Sequence, residues 1–197
     1  MTRFASASPA ARAALAAAAA LLVLGLVSIG AMMVALIGLG AAARALESGD
    51  TLTRLAFGSC CHQDKPKPIF NAVLATRPEA FLFLGDNIYG DTEDMDVMRD
   101  KYRRLEADAG FTALRASCPI LGVWDDHDYG VNDGGAEYPM REASQREFAA
   151  FFRLPPESPV HQRPGIYDAR RFGPMGRVVQ IIQLDTRYFR GPLVKLP

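Results

Sequence analysis

The chain is 197 residues long, 49% hydrophobic and 22% charged, with a formal net charge of zero. That composition suits one folded domain, with or without an appendage, and excludes a wholly disordered chain. It also lacks the basic surplus with which general nucleic-acid binders hold phosphates, so no nucleic-acid partner is expected.

The N-terminal segment stands apart from the rest. Between Ala13 and Ala43 no charged residue occurs. The run is about 31 residues, roughly 46 Å as a helix, against a hydrocarbon core of about 30 Å. Arg3, Arg12 and the N-terminal amine precede it, whereas Arg44, Glu47, Asp50 and Arg54 nearly balance behind it. That asymmetry places the N-terminus in the cytoplasm and the remainder on the exported, periplasmic or extracellular side. A cleaved signal peptide is the rival reading, since Ala41-Ala42-Ala43 offers small residues at a cleavage position. Signal peptides, however, carry apolar regions of only about 7–15 residues. Residues 1–50 are therefore read as cytoplasmic N-terminus, single transmembrane helix and linker, and 51–197 as the exported domain.

Within that domain, short apolar runs alternate with amphipathic stretches, which predicts an α/β layered fold. Thr51–Phe57 reads as a strand ending at Gly58-Ser59-Cys60, and Pro68–Thr76 as a helix with Ile69, Phe70, Val73 and Leu74 at helical spacing. Ala80–Leu84 is a continuous apolar run, hence a buried strand, and it stops at Gly85-Asp86. Glu93–Ala107 is mostly polar, but Met95, Met98, Tyr102 and Leu105 share one helical face. Ile120–Trp124 is a second buried strand, Arg141–Phe152 a further helix, and Arg177–Leu184 a third buried strand that stops at Asp185-Thr186-Arg187. Three buried strands thus end in polar clusters, and the carboxyl ends of strands in α/β sheets are where ligands bind.

The clusters carry metal-site chemistry. An Asp directly after a buried run is costly unless it meets a cation or hydrogen-bond donors, which singles out Asp86. Asp125-Asp126-His127-Asp128 packs three carboxylates around one imidazole, and like charges that close resist joint ionisation unless a cation lies among them. Cys60 adds a soft donor suited to a transition metal. The cysteines are three in number, so a bridge from Cys118 to Cys60 or Cys61 would leave one thiol free, while a small buried thiol remains the plainer reading of Cys118.

Taken in order, Phe57-Gly58-Ser59-Cys60, Gly85-Asp86-Asn87-Ile88-Tyr89, Trp124-Asp125-Asp126-His127-Asp128 and Leu184-Asp185-Thr186-Arg187 resemble the motifs of the PhoD-like alkaline phosphatase and phosphodiesterase family of calcineurin-like metallophosphoesterases. The resemblance runs from about Leu55 to Arg190. It implies a layered β core flanked by helices, a centre of ferric iron and calcium, and a phosphate ester substrate. On that resemblance Cys60 and Tyr89 ligate iron, Asp86 bridges the metals, and Asp126 ligates the second cation. His127 contacts the phosphate and its leaving group, Asp128 orients that imidazole, and Arg187 contacts phosphate.

The late histidine motifs of such enzymes have no counterpart here. Beyond His127 there are only His62, read as a loop residue beside the cysteines, and His161 in a surface loop. The sequence therefore predicts a partial domain whose second cation is short of ligands and whose sheet keeps an open edge, with a separately encoded C-terminal half as a conceivable partner. A membrane-tethered remnant that binds metal or phosphate without catalysis is the alternative to a working hydrolase.

Overall fold

The computed structural model describes residues 51–193. The predicted membrane helix lies outside them, and among the described residues no helix is long and apolar enough to cross a membrane.

Three strands, β1 (Leu55–Gly58), β2 (Ala80–Leu84) and β3 (Ile120–Val123), form a parallel sheet with β2 in the middle. Leu55 lies beside Ala80, and Phe81 beside Ile120. Parallel neighbours need crossover connections. The first is α1 (Ile69–Ala75), and the second is the pair α2 (Met95–Glu106) and α3 (Ala109–Ser117). A single helical turn, α4 (Asp126–Tyr129), follows β3 directly, and α5 (Arg141–Phe151) packs on α2. Strands β4 (Asp168–Phe172) and β5 (Val179–Gln183) make a separate antiparallel pair.

The side-chain alternation of β2 sorts the cores. Phe81 and Phe83 point into the main core, where they meet Phe70 of α1, Phe111 of α3 and Phe152 after α5. Ala80, with Leu82 beside it, faces the other way and packs with Leu52 and Ile181 of β5 in a smaller cluster that joins the two sheets. This is the layered arrangement expected from the alternating pattern.

Several elements depart from the sequence reading. β1 is shorter than Thr51–Phe57, because Leu52 turns into the smaller core instead of extending the strand. Helix α3 was hidden by its Ala- and Gly-rich sequence; it is started by Asp108, whose carboxylate accepts from the Phe111 amide at 2.9 Å, and anchored by buried Phe111 and Leu114. β4 reads as polar, Asp-Ala-Arg-Arg-Phe, and forms only because β5 offers it a ladder. β5 itself is not a buried strand. Ile181 and Gln183 face inward while Ile182 is 66% exposed, and Leu184 just beyond it is 65% exposed. It stands apart from the parallel sheet, so Asp185-Thr186-Arg187 follows an antiparallel strand.

Candidate metal centre

The site is assembled where the loops after β1, β2 and β3 meet. Backbone bonds stitch them together: the Cys60 and Cys61 amides donate to the Gly85 and Asp86 carbonyls at 3.2 and 2.8 Å, and the Gly90 and Asp91 amides to the His127 carbonyl at 2.9 and 3.3 Å. Gly85 has φ +106°, and a Cβ there would sit 2.7 Å from Asp125 Cβ, so only glycine lets the two strand ends approach this closely. Cys60, Asp86 and Asp91 adopt left-handed backbone conformations, with φ of 60°, 51° and 43°. Non-glycine residues rarely do so except where surrounding structure holds them at functional positions.

Asp86, Asp126 and His127 each present a ligand atom within 4.8 Å of the others. Cys60 Sγ lies 3.6 Å from Asp86 Oδ2, and the Tyr89 ring packs against the His127 ring with centroids 4.3 Å apart. The structure thus brings Cys60, Asp86, Tyr89, Asp126 and His127 to one place. Arg187 reaches it too, pairing with Asp125 at 2.5 Å and Asp126 at 3.3 Å, with its side chain largely buried. His161 stays away, its ring near the Leu154 carbonyl. His62 stacks on Tyr89 at 5.1 Å, covering the phenol ring.

The electrostatics favour a cation among these groups. Asp86 Oδ1 is buried without a hydrogen-bond partner. Burial raises the Asp86 pKa, with His127 opposing and the Asp126 and Asp125 carboxylates adding to the rise. Burial, aided by Asp86 and Cys60, pushes Tyr89 up to about 12. A metal ion would lower both and satisfy the orphaned oxygen, so the donor set fits one. Asp126 differs: burial works against its ionisation, but the Asp133 amide and Arg187 outweigh it and hold its carboxyl below the ordinary range. Its Oδ2 accepts from the Asp133 amide at 2.8 Å, which leaves further lone pairs for a cation.

The residue that orients the His127 imidazole is not the one the resemblance implied. Asp128 does not orient the imidazole; fully buried, it accepts from the backbone amides of Asp86 (3.1 Å), Asn87 (3.3 Å) and Asp125 (2.8 Å) and from Asn87 Nδ2 (2.5 Å). Burial pushes this carboxyl up to about 8, while the Asp125 and Asn87 amides pull it back. The orienting acid is Asp91, 2.7 Å from His127 Nδ1. Burial disfavours the imidazolium, but the bond to Asp91 together with the negative charges of Asp91, Asp86 and Asp126 outweighs it and raises the His127 pKa. Asp91 carries no motif signal; only its place two residues past Tyr89, on a left-handed turn, sets it apart. Gln63, whose Oε1 accepts from the Tyr89 amide at 2.9 Å, was likewise unmarked. All three cysteines are free thiols, with Cys118 buried, so the conceivable bridges to Cys60 or Cys61 are absent.

An α/β layered domain with a cluster of anionic donors at the ends of parallel strands is the class these features define. The sequence matches the PhoD-like phosphatase family over residues 55–195, and the chain belongs to that family. Its fold is similar to the solved structure of PhoD, with a TM-score of 0.53 at 19% identity. The match covers 75% of this chain and 34% of that one, so this chain spans about a third of the PhoD structure's length. No curated protein matches the chain.

Proposed function

We propose that the chain acts in metal-dependent hydrolysis of phosphate esters, in the manner of an alkaline phosphatase or phosphodiesterase, on the exported face of a membrane to which residues 13–43 anchor it. The observation that carries the chemistry is Asp86, with one buried oxygen unpartnered and a carboxylate oxygen within 4.8 Å of ligand atoms of Asp126 and His127, with Cys60 and Tyr89 alongside. Cys60 and Tyr89 would hold ferric iron, Asp126 calcium, and Asp86 both, since thiolate and phenolate suit iron and carboxylate oxygens suit calcium. Bound there, the metals would activate a water and neutralise charge on the phosphoryl group. The apolar run at 13–43, with Arg3 and Arg12 ahead of it and a near balance of charge just behind it, supports the anchored, exported placement.

The chain's own residues supply the remaining parts. Asp91 holds His127 through Nδ1, which leaves Nε2 to donate a proton to the departing ester oxygen. The raised pKa keeps that proton available toward neutral pH. Arg187, braced by Asp125 and Asp126, keeps unpaired guanidinium N–H groups for a phosphoryl oxygen.

The test is elemental analysis of the purified chain together with turnover of 4-nitrophenyl phosphate. Iron and calcium bound with turnover support the proposal; bound metal without turnover favours a remnant that binds metal without catalysis; no metal uptake defeats the metal-centre reading. In the same assay Asp91→Asn should move the basic limb of the pH–rate profile to lower pH. Removing the carboxylate removes the interaction that raises the His127 pKa, so the acid form is lost sooner as pH rises. An unmoved limb would show that His127 is not the proton donor.

A further inference from the structure

The parallel pairing of β1 and β2 outlasts the strands themselves. It runs in constant register from Leu55 beside Ala80 to Gly58 beside Phe83. The same register continues in the bonds from the Cys60 amide to the Gly85 carbonyl and from the Cys61 amide to the Asp86 carbonyl. There the ladder stops, because Cys60 and Asp86 take left-handed backbone conformations, at φ of 60° and 51°, that a strand cannot contain. The next tie between the two segments is made by a side chain. Gln63 Oε1 accepts from the Tyr89 amide at 2.9 Å.

Gln63 is buried, and a buried amide is costly unless both of its ends are bonded. Its Nε2 donates to Asp64 Oδ2 at 3.2 Å, which completes the side chain's bonding. Its carbonyl accepts from Lys67 Nζ at 2.8 Å. That lysine, with only 7% of its side chain exposed, also donates to the Lys65 carbonyl at 2.8 Å and faces Asp108, the residue that starts α3, at 3.9 Å. The Gln63 loop is thus fastened to a helix before it reaches Tyr89. From the other side, Lys101 Nζ of α2 donates to the Tyr89 and Gly90 carbonyls at 3.0 and 2.7 Å. Tyr89 is thereby held at its N–H and at its C=O, and its ring packs against both His62 and His127.

Resting on the metal-centre reading above, we infer that Gln63 is a positioning residue for the centre: it sets the Tyr89 phenol against the Cys60 thiol, so that both reach one ferric ion. Gln63 and Cys60 share the loop after β1, whereas Tyr89 arrives on the loop after β2. The bond from the Tyr89 amide therefore ties the loop that carries the thiol to the loop that carries the phenol. The phenol oxygen stands at the far end of a rigid ring, so a small turn of the backbone at Tyr89 becomes a large displacement at the metal. Partners one shell out from a metal are worth roughly 10–100-fold in affinity.

Two variants separate the acceptor from the bulk of the side chain. Gln63→Met keeps the length and volume but offers the Tyr89 amide only a weak acceptor, and Gln63→Glu restores an oxygen there. In the full chain, held in phospholipid membranes and stripped with a chelator, Gln63→Met should speed hydrogen exchange at the Tyr89 amide at least tenfold and leave Leu82, in the middle of the sheet, unchanged, as read by mass spectrometry. Loaded with ferric iron, the parent should show the resonance Raman lines of an iron-bound phenolate. Gln63→Met should weaken those lines and lower iron affinity by about 10–100-fold, and Gln63→Glu should recover both. Val160→Ala, which hollows the main core elsewhere, should lower the melting temperature and leave the lines as they are. Unchanged exchange at Tyr89, or a rise shared equally by Leu82, overturns the inference. So does a Gln63→Met chain with the parent's lines and affinity, or a loss that Gln63→Glu does not recover. A parent that takes up no iron, or shows no phenolate lines, defeats the metal-centre reading and this inference with it, whereas a parent with the lines and an unaffected Gln63→Met defeats the inference alone.

Discussion

Asp128→Ala is expected to remove a large part of the stability of the domain, lowering it by about 3–5 kcal/mol against the roughly 5–15 kcal/mol of an ordinary domain. The side chain is fully buried and, although burial raises its pKa, three backbone amides and the Asn87 side chain all donate to its two oxygens and favour the carboxylate form. Each donor stranded without a partner in the interior costs about 1–3 kcal/mol. Asp128→Asn should be nearly as damaging, since its amide nitrogen would point a donor at donors. Thermal unfolding followed by near-ultraviolet circular dichroism measures the effect. A variant melting within a few degrees of the parent would mean that the three strand-end loops are held by something other than this carboxylate.

Asp86→Asn should act in the opposite sense on stability while destroying the site. Metal affinity is expected to fall by more than the roughly 10–100-fold that outer-sphere partners are worth, because the bridging oxygen itself is lost. The metal-free chain, by contrast, should gain about 1 kcal/mol, or roughly 2–4 °C. Asp86 keeps an unpartnered buried oxygen and a charge that Asp125 and Asp126 oppose, and asparagine both removes the charge and tolerates the left-handed backbone at φ 51°. Calorimetric titration with metal and melting of the stripped protein read the two effects separately. A variant that still took up metal, or that melted lower without it, would remove Asp86 from the role proposed for it.

Legibility followed the kind of signal involved. Ala80–Leu84 declared itself because a continuous apolar run bounded by Gly85-Asp86 has few other readings, and Met95, Met98, Tyr102 and Leu105 marked α2 by spacing alone. The five residues gathered at the centre were legible for a related reason: each sits at or just beyond the end of a strand, where the backbone fixes its place. What stayed hidden depends on partners far along the chain. β4 has no apolar pattern and exists through its ladder with β5. That Asp91 and not Asp128 orients His127 could not be read either, since acids near a histidine look alike until the turn of α4 buries one and the loop after β2 aims the other.

The stitching of the three loops sets an order of events during folding. Cys60 and Asp86 are 26 positions apart, and Asp86 and Asp128 are 42 apart. Parallel pairing of such distant segments is among the slower steps a chain takes. The candidate ligands come from three separate loops, so the unfolded polypeptide would offer a metal little grip. The aromatic core around Phe83, Phe111 and Phe152 must close first. An ion bound at the proposed centre would therefore enter a scaffold that already stands, as a late passenger and not as the nucleus around which the chain collapses.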